Sequence, residues 1–104
     1  MAYKLERTET FENDLDSILH YISFQLSAPK AAVALYKKIK ITFDSVVKYP
    51  EMFQLYPSEW FEQNGYHFFN VGNYLVFYTI DQEQQIVYAQ TVVYAAMDLT
   101  KLQK

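Results

Sequence analysis

The spacing of apolar residues changes period once along this chain, and that change limits the fold more than any other feature. Phe11, Leu15, Ile18, Leu19, Ile22 and Leu26 recur at helical spacing, as does a second stripe of Ala32, Leu35, Ile39, Phe43, Val46 and Val47. Residues 66–71, 74–80 and 86–95 instead read as strands. Helices first and strands afterwards point to an α+β domain in two layers, not to an alternating parallel fold.

The punctuation agrees with this division. Tyr3 to Glu9 reads as an N-terminal strand, with Tyr3, Leu5 and Arg7 on one side and Lys4, Glu6 and Thr8 on the other. Thr8 or Thr10 can cap a first helix whose opening turn carries Glu12 and Asp14, where negative charge favours the helix dipole. Ser27-Ala28-Pro29 restarts the helix: Ser27 can cap, and proline fits the first turn, where its missing N–H is not needed. Tyr49-Pro50 ends the second helix, because the residue before proline resists the helical region. So short a joint requires the two helices to pack as an antiparallel hairpin. Residues 51–64 form a packed connector with Met52, Phe53, Leu55, Trp60 and Phe61 as anchors. Gly72-Asn73 and Asp81 to Gln85 supply the turns of a three-stranded antiparallel meander. Leu99 and Leu102 mark a short terminal helix or tail. The expected architecture is one domain over residues 1–104, with helices on one sheet face and the other face left open for ligands.

At 104 residues and 51% hydrophobic composition the chain can bury a core without staples. It has no cysteine, hence neither a disulfide framework nor a thiolate metal site. No apolar run approaches membrane-spanning length and no secretory h-region follows the N-terminal charges, so a cytoplasmic location without membrane contact is expected. Aromatics reach 18%, more than a small core absorbs, which directs some of them to a binding surface. Phe24, Tyr36, Trp60 and Tyr78 serve equally well as surface anchors or as core.

Net charge is −3, with Arg7 as the single arginine. A protein built to grip a phosphate backbone carries a basic surplus, and this one has none overall. Lys30, Lys37, Lys38 and Lys40 form either a local basic patch or, more plainly, a solvated helix face. His20, between Leu19 and Tyr21, reads as a helix-surface residue.

Several segments, in order and spacing, resemble the RelE/ParE superfamily, the toxin half of type II toxin–antitoxin modules. They are Thr10-Phe11-Glu12-Asn13-Asp14-Leu15, Ser27-Ala28-Pro29-Lys30-Ala31-Ala32, Tyr49-Pro50-Glu51-Met52-Phe53, Gly65-Tyr66, Val71-Gly72-Asn73-Tyr74-Leu75-Val76-Phe77-Tyr78, and the strand ending at Tyr94. The resemblance implies growth inhibition by messenger-RNA cleavage on the ribosome or by binding a target such as gyrase. It also implies a role in plasmid stabilisation, neutralisation by a cognate antitoxin, and assembly as a heterotetramer or homodimer. The antitoxin would lay an amphipathic segment over the helices and sheet.

The departures from the family pattern concern charge. His67 stands where a basic residue commonly follows the aromatic that opens the second strand. Thr91 stands at the place of an arginine early in the fourth strand, and Ala95-Ala96-Met97 precede Asp98 where a small residue and an arginine pair are usual. RNA cleavage by a 2′-hydroxyl needs a base, an acid and positive charge around the phosphorane, without metal or cofactor. The candidates are His67 as base, Tyr94 as proton or hydrogen-bond donor, and Lys101, with Lys104, as charge. Against these stand plainer readings: a strand-surface histidine at His67 and an aromatic cross-strand pair at Tyr94. Losing one preorganised donor costs about two to three orders of magnitude in rate. Replacement of the basic positions at Thr91, Ala96 and Met97 therefore opposes efficient cleavage. It leaves a target-binding toxin, a toxin fold that retains its antitoxin interface but little or no RNase activity, or a small adaptor.

Overall fold

The computed structural model describes residues 2–97 and 99–102, with the backbone alone at Thr100 and Lys101. Strand β1 (Lys4–Arg7) leads into helix α1 (Glu9–His20), which loosens into a π-helical turn (Tyr21–Gln25). Helix α2 (Pro29–Val46), a short helix α3 (Glu59–Gln63), strands β2 (His67–Val71), β3 (Tyr74–Asp81) and β4 (Ile86–Tyr94), and a 3₁₀ helix (Leu99–Leu102) follow. The strands form one sheet in the order β1-β4-β3-β2. The meander is antiparallel, and β1 joins its last strand in parallel. No helix among the described residues is long and apolar enough to cross a membrane.

Thr8 ties the first strand to the first helix. Its hydroxyl accepts from the Phe11 N–H (3.1 Å) and points at the carbonyls of Ala89 (3.0 Å) and Gln90 (3.1 Å) on β4. A cap of this kind contributes about 1 kcal/mol. The Gln90 region is irregular because Phe77 pairs with Thr91 while Tyr78 pairs with Ala89, leaving Gln90 as the extra residue of a bulge.

The helical hairpin is antiparallel as expected. Phe11, near the start of α1, meets Phe43, near the end of α2, edge to face at 5.9 Å. The joint differs from expectation. Ser27 does not cap α2; it takes the left-handed conformation (φ 49°) and ends the preceding helix, while the Ala28 N–H donates to the Ile22 carbonyl (3.0 Å). The π-helical turn, in which the Leu26 N–H reaches Tyr21 O (3.1 Å), also rotates Leu26 out of its apolar stripe and into solvent.

The other correction concerns the supposedly open sheet face. Val76, Tyr78, Val87, Ala89 and Val92 pack under the helices with Phe11, Leu15, Ile39, Phe43 and Val46. Leu75, Phe77 and Val93 point the opposite way and are buried too, beneath Phe61 with Tyr56, Trp60, Tyr66, Phe68, Leu99 and Leu102. Residues 51–64 thus contain a helix, α3, that helps to close this face, although Met52 is exposed and anchors nothing. Alternation along β3 buries both of its faces, the pattern of a strand enclosed between two layers.

Candidate functional site

His67 opens β2 opposite Tyr78 on β3. Its Nδ1 lies 2.7 Å from the Phe53 carbonyl oxygen, an acceptor only, so Nδ1 carries the proton and donates. Its ring stacks on that of Tyr78, with centroids 5.2 Å apart and planes at 16°. Tyr78 is fully buried, and its hydroxyl donates to the Pro50 carbonyl at 2.8 Å. Burial pushes the Tyr78 phenol up to about 12, with a smaller rise from the Glu51 carboxylate and an opposing backbone hydrogen bond at Phe53. His67 and Tyr78 together pin the connector onto the sheet.

Tyr94 ends β4 opposite Tyr74, and the two rings meet at 5.8 Å and 66°. Tyr94 is 52% exposed. Burial, followed by the phenols of Tyr21 and Tyr94, raises the Tyr74 pKa, so three tyrosine hydroxyls cluster where the π-helical turn meets the sheet. The expected aromatic cross-strand pair is present.

His67 and Tyr94 therefore occupy opposite ends of β3. The separation from Tyr74 to Tyr78 is about 13 Å along the strand, and a further strand lies between the two groups. One phosphate cannot bridge that gap. Among the remaining candidates, Thr91 is buried and its hydroxyl donates to the Asp14 carboxylate on α1, so the family's basic position is here an internal strut. Ala95, Ala96 and Met97 form an exposed turn after β4, held by hydrogen bonds from Ala95 N–H to Asn73 O (2.8 Å) and Met97 N–H to Tyr94 O (3.0 Å). The Lys101 backbone lies in the 3₁₀ helix; its side chain, Asp98 and Lys104 lie outside the described residues.

The face opposite the helices holds stacked rings where a substrate cleft was expected. Phe61 lies parallel to Phe77 at 5.1 Å and 18°, and Tyr56 stands edge-on to Phe61, Phe68 and Phe77 at 5.0, 5.1 and 5.4 Å. Backbone bonds from Tyr56 N–H to Tyr66 O and from Tyr66 N–H to Phe61 O, both 2.9 Å, fix this layer. A neighbouring surface cavity of about 410 Å³ is lined by Met52, Phe53, Gln54, Phe68, Phe69 and Asn70, without a charged side chain to meet a phosphate. The arrangement is better equipped for apolar contact than for proton transfer. Sequence reasoning understated one surface, the outward side of α2, where Val33, Tyr36 and Ile41 are exposed among the four lysines. The signal was present as apolar residues off the main helical stripe.

Comparison with known proteins gives a consistent result. The family model for the ParE toxin of the type II toxin–antitoxin system, parDE, matches residues 5–99. The chain is similar to a solved structure of the toxin–antitoxin complex RelBE2 from Mycobacterium tuberculosis, at 20% identity and TM-score 0.62, over 90% of this chain and 99% of that one. It is also similar to the chromosomal ParDE system from P. aeruginosa, at 16% identity and TM-score 0.67, over 89% of this chain and 96% of that one. No curated protein matches by sequence.

Proposed function

We propose, from the premise that this chain belongs to the ParE toxin family of type II toxin–antitoxin systems, that it arrests growth by binding a cytoplasmic target and not by cutting RNA. A cognate antitoxin neutralises it. The observation that carries this reading is the separation of His67 from Tyr94 across the length of β3, with stacked aromatic rings filling the opposite sheet face. General acid–base catalysis needs both groups within hydrogen-bond reach of one reacting centre. In this reading His67 holds the connector, Tyr94 belongs to a contact surface, and Lys101 takes no part in chemistry. Gyrase is a target of the required kind, since occupying it demands a surface and no catalytic set.

The test is tightly controlled expression of the full chain. Growth arrest with intact messenger RNA in a translation reaction, together with inhibited supercoiling in a gyrase assay, is the expected outcome. Discrete RNA fragments dependent on the protein would overturn it. A second reading, an attenuated toxin that retains antitoxin binding, is favoured by the uncharged turn Ala95-Ala96-Met97, and harmless high-level expression would select it.

A further inference from the structure

Helix α2 is apolar on two sides. Its inner side buries Ala32, Leu35, Ile39, Phe43 and Val46. At about 100° per residue, Lys30, Val33, Ala34, Lys37 and Ile41 project on the opposite side, with Val33 52% and Ile41 62% exposed. A helix side that meets water alone is ordinarily polar. β-Branched residues there lose side-chain freedom in the helix without gaining burial. Val33 lies with Pro29, Lys30, Ala34 and Lys37 around a shallow groove of about 420 Å³.

Charge is segregated onto the same helix. It holds Lys30, Lys37, Lys38 and Lys40 against Asp44 alone, a local +3 in a chain of −3, so the remainder carries −6. Complementary potentials of this kind steer partners and fix their register. The occupant is therefore acidic. Exposed aliphatics interleaved with lysines fit a peptide better than a nucleic acid, because Val33 and Ile41 give bases no ring to stack on and the helix has no arginine to fork onto phosphate.

We propose that the outward side of α2 docks an acidic amphipathic helix of a partner protein. The partner's apolar residues rest on Val33 and Ile41, and its carboxylates meet Lys30, Lys37 and Lys38. The identity of that partner as the antitoxin rests on the toxin reading above; the docking chemistry does not.

The probe is a synthetic helical peptide with leucines at i, i+3, i+4 and i+7 and glutamates elsewhere, titrated against the full chain by fluorescence anisotropy. A leucine–lysine peptide of the same pattern, a single-stranded RNA and a DNA duplex serve as competitors. The acidic peptide binds, and raising salt from about 0.05 to about 0.5 M weakens it about tenfold or more. The pair Lys30→Glu with Lys37→Glu, and separately Val33→Ser with Ile41→Ser, each weaken it by a similar factor while the circular dichroism spectrum is unchanged. No binding, binding indifferent to both pairs, or stronger lysine-dependent binding of either nucleic acid overturns the proposal. If the chain arrests growth and a co-expressed neighbouring gene product still rescues cells carrying both pairs of substitutions, the docking proposal falls and the toxin reading stands. If the peptide binds as described but expression is harmless, the docking proposal stands and the growth-arrest reading falls.

Discussion

At one end of β3 the Tyr78 ring lies stacked on His67, fully buried, with its hydroxyl bound to Pro50; at the other, on the same helix-facing side, Tyr74 leans on the exposed ring of Tyr94. Each is half of a cross-strand ring pair, and the two tyrosines belong to one strand four residues apart. The difference comes from what passes over them. The connector brings the carbonyls of Pro50 and Phe53 to the Tyr78 pair, giving both polar atoms partners and excluding water. Beside Tyr74 the chain turns away at Ala95, and the third tyrosine, Tyr21, is itself half-exposed. Identical residue types thus become a structural clamp at one end and an available contact surface at the other.

Truncating the two pairs tests that contrast most directly. Tyr78→Ala empties a packed site and is expected to cost about 3–5 kcal/mol of unfolding free energy. Tyr94→Ala removes one exposed cross-strand contact and is expected to cost under about 1 kcal/mol. Urea denaturation of both variants measures this, and equal losses would remove the distinction.

Alkaline pH probes the clamp without truncation. Tyr78 ionises near 12 when folded and near 10 when unfolded, so its contribution to stability is complete below pH 10 and is lost as pH rises from 10 through 12. Wild type should therefore lose more stability across that window than Tyr78→Phe, whose ring cannot ionise. Parallel slopes in the two proteins would show that the phenol does not titrate as the clamp requires. A smaller effect is expected from His67→Phe, which keeps a stackable ring but leaves the Phe53 carbonyl without its donor. It should cost about 1 kcal/mol and leave growth arrest intact, whereas abolished toxicity in a folded protein would return His67 to the chemistry.

The same contrast explains how much was legible in the sequence. Both helical stripes, three of the turn signals and the meander could be read because each rests on local spacing: Leu35, Ile39 and Phe43, or Val76 and Tyr78, declare their face by period alone. The Tyr74–Tyr94 pair was legible for the same reason. What escaped depends on segments far apart in the chain. Nothing near Phe77 announces that Phe61 and Tyr56 will cover it, and the irregular pattern of residues 51–64 hides a single turn of helix. Ser27 looks like a cap from composition, but its backbone is set by how the previous helix ends. The candidate site was read residue by residue, and only the register of β2 and β4 against β3 places His67 and Tyr94 too far apart to act together.

The smallest expected change concerns the uncharged turn after Tyr94. Ala96 and Met97 are exposed, and no described side chain depends on them for burial, so Ala96→Arg with Met97→Arg should alter stability by no more than about 0.5 kcal/mol. The pair nevertheless restores positive charge beside Tyr94 at the positions where the resemblance places it. If the separation of His67 from Tyr94 is what prevents RNA cleavage, two arginines at one end of β3 cannot repair it, and a translation reaction should still yield intact messenger RNA. Appearance of fragments would mean that charge alone was missing, and that the exposed end of β3 suffices for the chemistry without its buried counterpart. The double substitution therefore separates loss of charge from loss of geometry in a protein whose fold it barely disturbs.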